Sequence, residues 1–149
     1  MTSITIPGTI SYPEQLERIK ENMEILGQGA PATMQAFTAL HHAAAAPGAL
    51  DFKTKELIAL AIGVSLRCNG CIAFHTHDAL RAGATREEVL DALGVAVLMG
   101  GGPSAIYATH VVEAIEQFDQ LVFLGLEREV PNIYVHSFQT FNQPFINNV

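Results

Sequence analysis

Apolar residues recur every three or four positions along most of the chain, the spacing that gathers them on one face of an α-helix. A first helix is predicted after Pro13, roughly Glu14 to Leu26, with Leu16, Ile19, Met23 and Leu26 as its stripe and Gly27 and Gly29 as its stop. A second runs from near Pro31 to about Ala46, with Met34, Phe37, Thr38, His41 and Ala45 on one side and Pro47-Gly48 beyond it. A third, from about Lys53 to Leu66, is apolar on almost every side after Glu56, which reads as a buried helix. A fourth spans about Asn69 to Arg81, carries Ile72, Phe74, Ala79 and Leu80, and closes at Gly83. Thr85 with Glu88 three residues on has the form of a capping box, opening a helix through Val89, Leu93 and Val97 to Met99. Gly100-Gly101-Gly102-Pro103 breaks the pattern, and Pro103 suits the first position of a new helix from about Ser104 to Phe123, with Ile106, Val111, Ala114, Ile115 and Phe118 inward.

No pair of alternating segments flanks a hairpin turn, so the fold class is all-α: a single-domain helical bundle of about six helices. The chain divides into an N-terminal segment and first helix (1–30), a helical core (31–125) and a C-terminal arm (126–149). Beyond Val130 the sequence is rich in Asn, Gln, Pro and Phe with almost no charge. Phe138, Phe141 and Phe145 there suggest an arm that packs on its own domain or on a neighbouring subunit.

Composition narrows the class. The 149 residues fit one domain, and 49% of them are hydrophobic, enough for a sizeable core. A net charge of −7 with no basic cluster disfavours nucleic acid and anionic membrane surfaces. The N-terminus lacks the basic start and apolar run of a signal peptide. The longest near-continuous apolar stretch, Leu57 to Leu66, is about half the ~20 residues a membrane helix needs. A cytoplasmic protein is expected.

The two cysteines, Cys68 and Cys71, are three residues apart. A bridge between them closes almost no loop and so restricts the unfolded chain little. In a reducing compartment such a pair is more often catalytic, redox-sensing or metal-binding. His75 follows Cys71 by four residues, one helical turn away on the same face. A helix N-terminus and a nearby imidazole both favour a thiolate, the form of cysteine that acts as a nucleophile. The second thiol can condense with a sulfenic acid to give a disulfide, or exchange with a dithiol partner. Glu56, twelve residues before Cys68, has two readings: a carboxylate that orients His75, or an acid near a helix N-terminus that complements the dipole. Zinc would need a fourth ligand beyond Cys68, Cys71 and His75, from His77, another histidine or a carboxylate. His77 falls on a different face, solvated or partly packed; of His41 and His42 one faces the core; His110 follows the glycine-rich turn, an approach to the site being the lesser of its readings. Gly100–Gly102 lacks the Lys-Ser/Thr of a phosphate-binding loop and reads as a tight turn.

These residues together resemble the alkylhydroperoxidase D and carboxymuconolactone decarboxylase family. Glu56, Cys68, Cys71 and His75 match its peroxidase signature at every spacing, and the flanking runs Lys53–Ala61, Cys71–Ala79 and Leu98–Pro103 look like its core helices and helix break. The resemblance covers about Pro31 to Phe118. It implies trimers or hexamers, and a relay in which Glu56 and His75 activate Cys71 with Cys68 as its disulfide partner. It further implies hydroperoxide reduction with electrons from a dithiol protein or small thiol, without flavin, haem or metal. Gly70 departs from the family, whose peroxidases often carry His there, and points to weaker peroxidase activity. A carboxymuconolactone decarboxylase-type lyase and a non-catalytic oligomeric thiol redox sensor are the alternatives; such decarboxylases do not need the cysteine pair.

Overall fold

A computed structural model describes residues 10–124, the side chain of Phe123 excepted. The C-terminal arm and its three phenylalanines lie outside the described residues. All regular structure among those described is helical: α1 (Tyr12–Gly29), α2 (Pro31–Ala45), α3 (Phe52–Ser65), α4 (Asn69–Arg81) and α5 (Arg86–Phe123).

The stop signals act as the sequence suggests, with one exception. Ser11 caps α1, its hydroxyl accepting the Glu14 N–H, but the helix runs through Gly27 to Gly29. A single glycine costs a helix only about 1 kcal/mol. Pro31, which disfavours helical backbone in the residue before it, sets the actual end. Asp51 caps α3 by accepting the Thr54 N–H at 2.7 Å. Thr85 and Glu88 form the full capping box of α5.

The expected break at Gly100–Pro103 is condensed into one residue. Gly101 sits at φ 64, ψ −151 inside α5, and helix resumes around Pro103, so two of the six predicted helices form one kinked element. Such a backbone is open essentially to glycine alone. The kink also brings turns close, because a Cβ on Gly100 would lie 1.9 Å from the Ser104 hydroxyl oxygen.

α3 is the centre of the bundle, packing extensively on α4 and α5, which also touch each other; α1 covers α4 and α5 at one side. Leu60 and Val64 of α3 meet Ile72, Ala73, Phe74 and Ala79 of α4 and Val89, Leu93, Ala96, Val111, Ala114, Ile115 and Phe118 of α5, with Tyr12 and Leu16 of α1 joining them. The N-terminal helix is therefore part of this core. α2 is peripheral: it buries no residue fully, and Phe37, expected inward, is half exposed. Lys55 holds it in place by donating to the carbonyls of Ala44 and Ala46 at its C-terminal end.

Two expectations are corrected. α3 is buried on one side only, for Ile58, Ile62 and Leu66 form an exposed stripe at four-residue spacing. Ile106 of α5 likewise faces outward, beside exposed Val95, Leu98 and Met99. An apolar face in the sequence is expected to be buried, but these positions are exposed in the folded chain. By length and composition alone, one helix among the described residues, Arg86–Val122, would suffice to cross a membrane.

Gly101→Ala forces a Cβ into a region that side chains rarely adopt and should lower stability by about 1–3 kcal/mol. Gly102→Ala, with open space at its Cβ and ordinary backbone, should be neutral or slightly stabilising. Urea unfolding of both variants checks the contrast, and equal effects would remove the kink as the cause.

Candidate functional site

Cys68, between the two helices, closes α3 and opens α4. Leu66 ends α3 and Arg67 takes the left-handed conformation at φ 58. The Cys68 N–H then reaches back to the Gly63 carbonyl at 3.0 Å and the Arg67 N–H to that of Val64 at 3.0 Å, which is a Schellman closure. Cys68 is at the same time the N-cap of α4, its sulfur accepting the Cys71 N–H at 3.2 Å. Cys68 and Cys71 are joined by a disulfide, with their Cα atoms 5.2 Å apart. Both are half-buried.

One turn beyond Cys71, the His75 ring meets Glu56 of α3, Nδ1 to Oε2 at 2.7 Å. Glu56 is 2% exposed, and the His75 side chain keeps 20% of its surface exposed. The dipole reading of Glu56 fails here, because Asp51 caps α3 and Glu56 lies beyond its first turn. A carboxylate oxygen only accepts, so Nδ1 carries the proton and the neutral ring keeps its lone pair on Nε2. That is the tautomer a base needs. The carboxylate fixes the orientation of the ring.

The other histidines divide. His41 of α2 stands edge-on to Phe74 at 6.2 Å, and Phe74 in turn to His75 at 5.6 Å. Burial lowers the His41 pKa, opposed by the charges of Glu56 and Asp78 and reinforced by those of His75 and His42. His77 is not solvated: it is buried against Phe118, ring centroids 5.4 Å apart, with Nδ1 2.7 Å from Asp78. His110 reaches the residue between the two cysteines, its Nδ1 lying 3.2 Å from Oδ1 of Asn69. Among the described residues no group of three or more His, Cys, Asp and Glu side chains is arranged to hold a metal ion.

Glycines at two positions admit the thiols to this corner. A Cβ on Gly63 would stand 2.9 Å from the Cys71 Cβ, so α3 and α4 touch nearly backbone to side chain there. A Cβ on Gly70 would stand 3.2 Å from Cδ1 of Ile19. α1 thus covers the position at which related peroxidases often carry an imidazole, and a histidine there would have to displace Ile19. Sequence reading missed Ile19 and Asn69, because only the tertiary fold brings α1 and α5 to this loop.

Gly63→Ala should push α4 off α3 at Cys71, costing about 1–3 kcal/mol and slowing disulfide formation. Thermal unfolding and alkylation of the reduced thiols over time report both. Unchanged values for the two would mean that the close approach is not constraining.

Comparison with known proteins agrees with this architecture. Residues 31–114 match the model of the carboxymuconolactone decarboxylase family. An uncharacterised protein of Cupriavidus necator is 42% identical over 113 residues, which cover 76% of this chain and 97% of that one. A carboxymuconolactone decarboxylase family protein of Legionella pneumophila, solved in its apo form, superposes with a TM-score of 0.70 at 45% identity, covering 72% of this chain and 96% of the other. A Thermotoga maritima member, for which an involvement in the antioxidative response has been suggested, gives a TM-score of 0.68 at 31% identity over 75% and 95% of the two chains. With the family match spanning more than half of its length and these relatives matched nearly end to end, the chain belongs to the carboxymuconolactone decarboxylase family.

Proposed function

We propose that this protein is a thiol-dependent oxidoreductase that reduces hydroperoxides through Cys68 and Cys71. One observation carries the reading: a buried carboxylate, Glu56, hydrogen-bonded at 2.7 Å to His75, one turn from a cysteine already paired with its neighbour. The suggested antioxidative role of the Thermotoga maritima relative supports the same class of chemistry.

In the reduced protein His75 Nε2 takes the Cys71 proton, and Glu56 stabilises the imidazolium. The Cys71 thiolate attacks the terminal oxygen of the hydroperoxide; the O–O bond breaks and the departing alkoxide takes a proton to leave as the alcohol. Cys71 is then a sulfenic acid. The Cys68 thiol attacks its sulfur, water leaves, and the disulfide forms. An external dithiol, protein or small thiol, returns two electrons by exchange through a mixed disulfide and is itself oxidised. The cycle needs no flavin, haem or metal, and it suits a reducing compartment such as the cytoplasm.

The exposed stripes on α3 and α5 support a homo-oligomer, a trimer or hexamer. Leu98 and Met99 are 80% and 79% exposed, and Ile58, Ile62, Leu66, Val95 and Ile106 add to the apolar surface. Apolar exposure on this scale marks an interaction surface. The acidic chain carries no basic patch that would direct it to nucleic acid or an anionic membrane instead.

Hydroperoxide consumption with dithiothreitol should vanish in Cys71→Ser and fall sharply in Cys68→Ser. His75→Ala should lose at least about tenfold, since a general base typically contributes about 100- to 10,000-fold. Activity retained in both cysteine variants would refute the thiol mechanism and favour decarboxylation, whereas a disulfide that cycles without turnover would favour the redox sensor.

Ile62→Glu combined with Leu98→Glu should dissociate the assembly to a 16.0 kDa protomer by light scattering after size exclusion. A native protein already at that mass would overturn the oligomer.

A further inference from the structure

Between the cysteines lie two residues, Asn69 and Gly70, and only Asn69 has a polar side chain. Its Oδ1 accepts from His110 Nδ1 at 3.2 Å, across from α5 and 41 positions along the chain. The His110 ring is backed by Tyr107, with centroids 5.0 Å apart. Asn69 and His110 are both half-buried. His110 makes no hydrogen bond with Glu56 or His75; its one side-chain hydrogen bond among the described residues is with Asn69, in the first turn of α4.

In the oxidised protein the covalent bond holds Cys68 and Cys71 together. Reduction removes that restraint and leaves the turn to non-covalent ones. Cys68 keeps its N–H bond to Gly63 of α3, and Ile72 its N–H bond to the Cys68 carbonyl. The side chain of the intervening loop is anchored to another helix through His110.

We propose that His110 is a positioning residue for the redox pair, holding the Asn69 side chain so that the two thiols stay in register for disulfide formation. The inference rests on the redox reading of Cys68 and Cys71. Its physical basis is that two restraints on one conformation each reduce the ordering cost of the other. The coupling is reciprocal: if the disulfide strengthens the His110–Asn69 bond, that bond favours the disulfide by the same factor. Its size cannot exceed the worth of one neutral hydrogen bond, about tenfold in an equilibrium constant. Removing the donor therefore makes the disulfide easier to reduce. His110 touches no reacting atom.

The test is equilibration of the full-length protein with graded ratios of reduced and oxidised dithiothreitol, followed by alkylation of free thiols and measurement of the oxidised fraction. His110→Phe keeps a ring beside Tyr107 but has no donor. His110→Asn places an amide N–H as many bonds from the backbone as Nδ1. The expected result is a disulfide equilibrium constant about three- to tenfold lower in His110→Phe, about 15–30 mV at 29.6 mV per decade. Asn69→Ala should shift it in the same direction, the double variant no further than either single one, and His110→Asn should recover most of the native value. A native value in His110→Phe overturns the proposal, as does an equal shift in His110→Asn, which would mean lost packing rather than a lost bond. A native disulfide that does not exchange with dithiothreitol overturns the redox reading and this inference together.

Discussion

A buried carboxylate carries a large desolvation cost unless a partner meets it, and Glu56 is met by His75. That requirement links two helices at a defined height. Glu56 lies one turn before Leu60 and two before Val64 on the core face of α3, so the pair fixes how far α4 slides along α3. Breaking a buried pair of this kind costs about 3–5 kcal/mol, because the remaining charge stays buried. The arrangement is expensive to lose and gains little over an apolar substitute in stability alone. What the pair does in the interior is present one imidazole in one tautomer, partly exposed, one turn of α4 beyond the disulfide.

The thiols are held by backbone logic of equal economy. Arg67, a non-glycine residue in the left-handed region, makes the reversal that lets the Cys68 N–H close α3 and the Cys68 sulfur open α4. A residue that caps two helices cannot shift without unsettling both. Gly63 then permits Cys71 to sit against α3 within van der Waals contact. The Glu56–His75 pair and the disulfide are thus referenced to the same two helices, and the spacing between them is set by one turn of α4 rather than by a loop.

Much of this was legible in the sequence, and the exceptions have physical causes. The bounds of α4 follow from local signals, with Cys68 as cap and Gly83 at φ 85 as terminator, so Asn69–Arg81 was readable to the residue. Local signals misled at Gly27, where the helix tolerates a glycine that reads as a stop. The role of Glu56 was ambiguous because burial is a tertiary property; no spacing distinguishes a dipole acid from an enclosed carboxylate. The stripe of Ile58, Ile62 and Leu66 was read as core because an apolar face in the sequence does not reveal whether the rest of the chain packs on it. Asn69 and Ile19 were invisible for the same reason, as each takes its meaning from a helix far along the chain.

The departure at Gly70 illustrates how such pieces compensate. A residue without a side chain at that position leaves room for Ile19 of α1, and α1 in return closes the core with Tyr12 and Leu16 at the foot of α4. Tyr12 is buried deeply enough that desolvation, aided by Glu113 and Tyr107, pushes its pKa up to about 12. Its backbone N–H is fastened to Gln117 of α5 at 2.8 Å, and Gln117 donates back to the Ile10 carbonyl at 2.9 Å. The same α5 that fastens α1 also carries His110 to Asn69. An imidazole on the loop itself would compete with α1 for space, whereas one supplied from α5 reaches the loop from another helix and leaves the α1 contact intact. The glycine at 70 is thereby consistent with a thiol site whose loop is organised by its neighbours rather than by its own side chains.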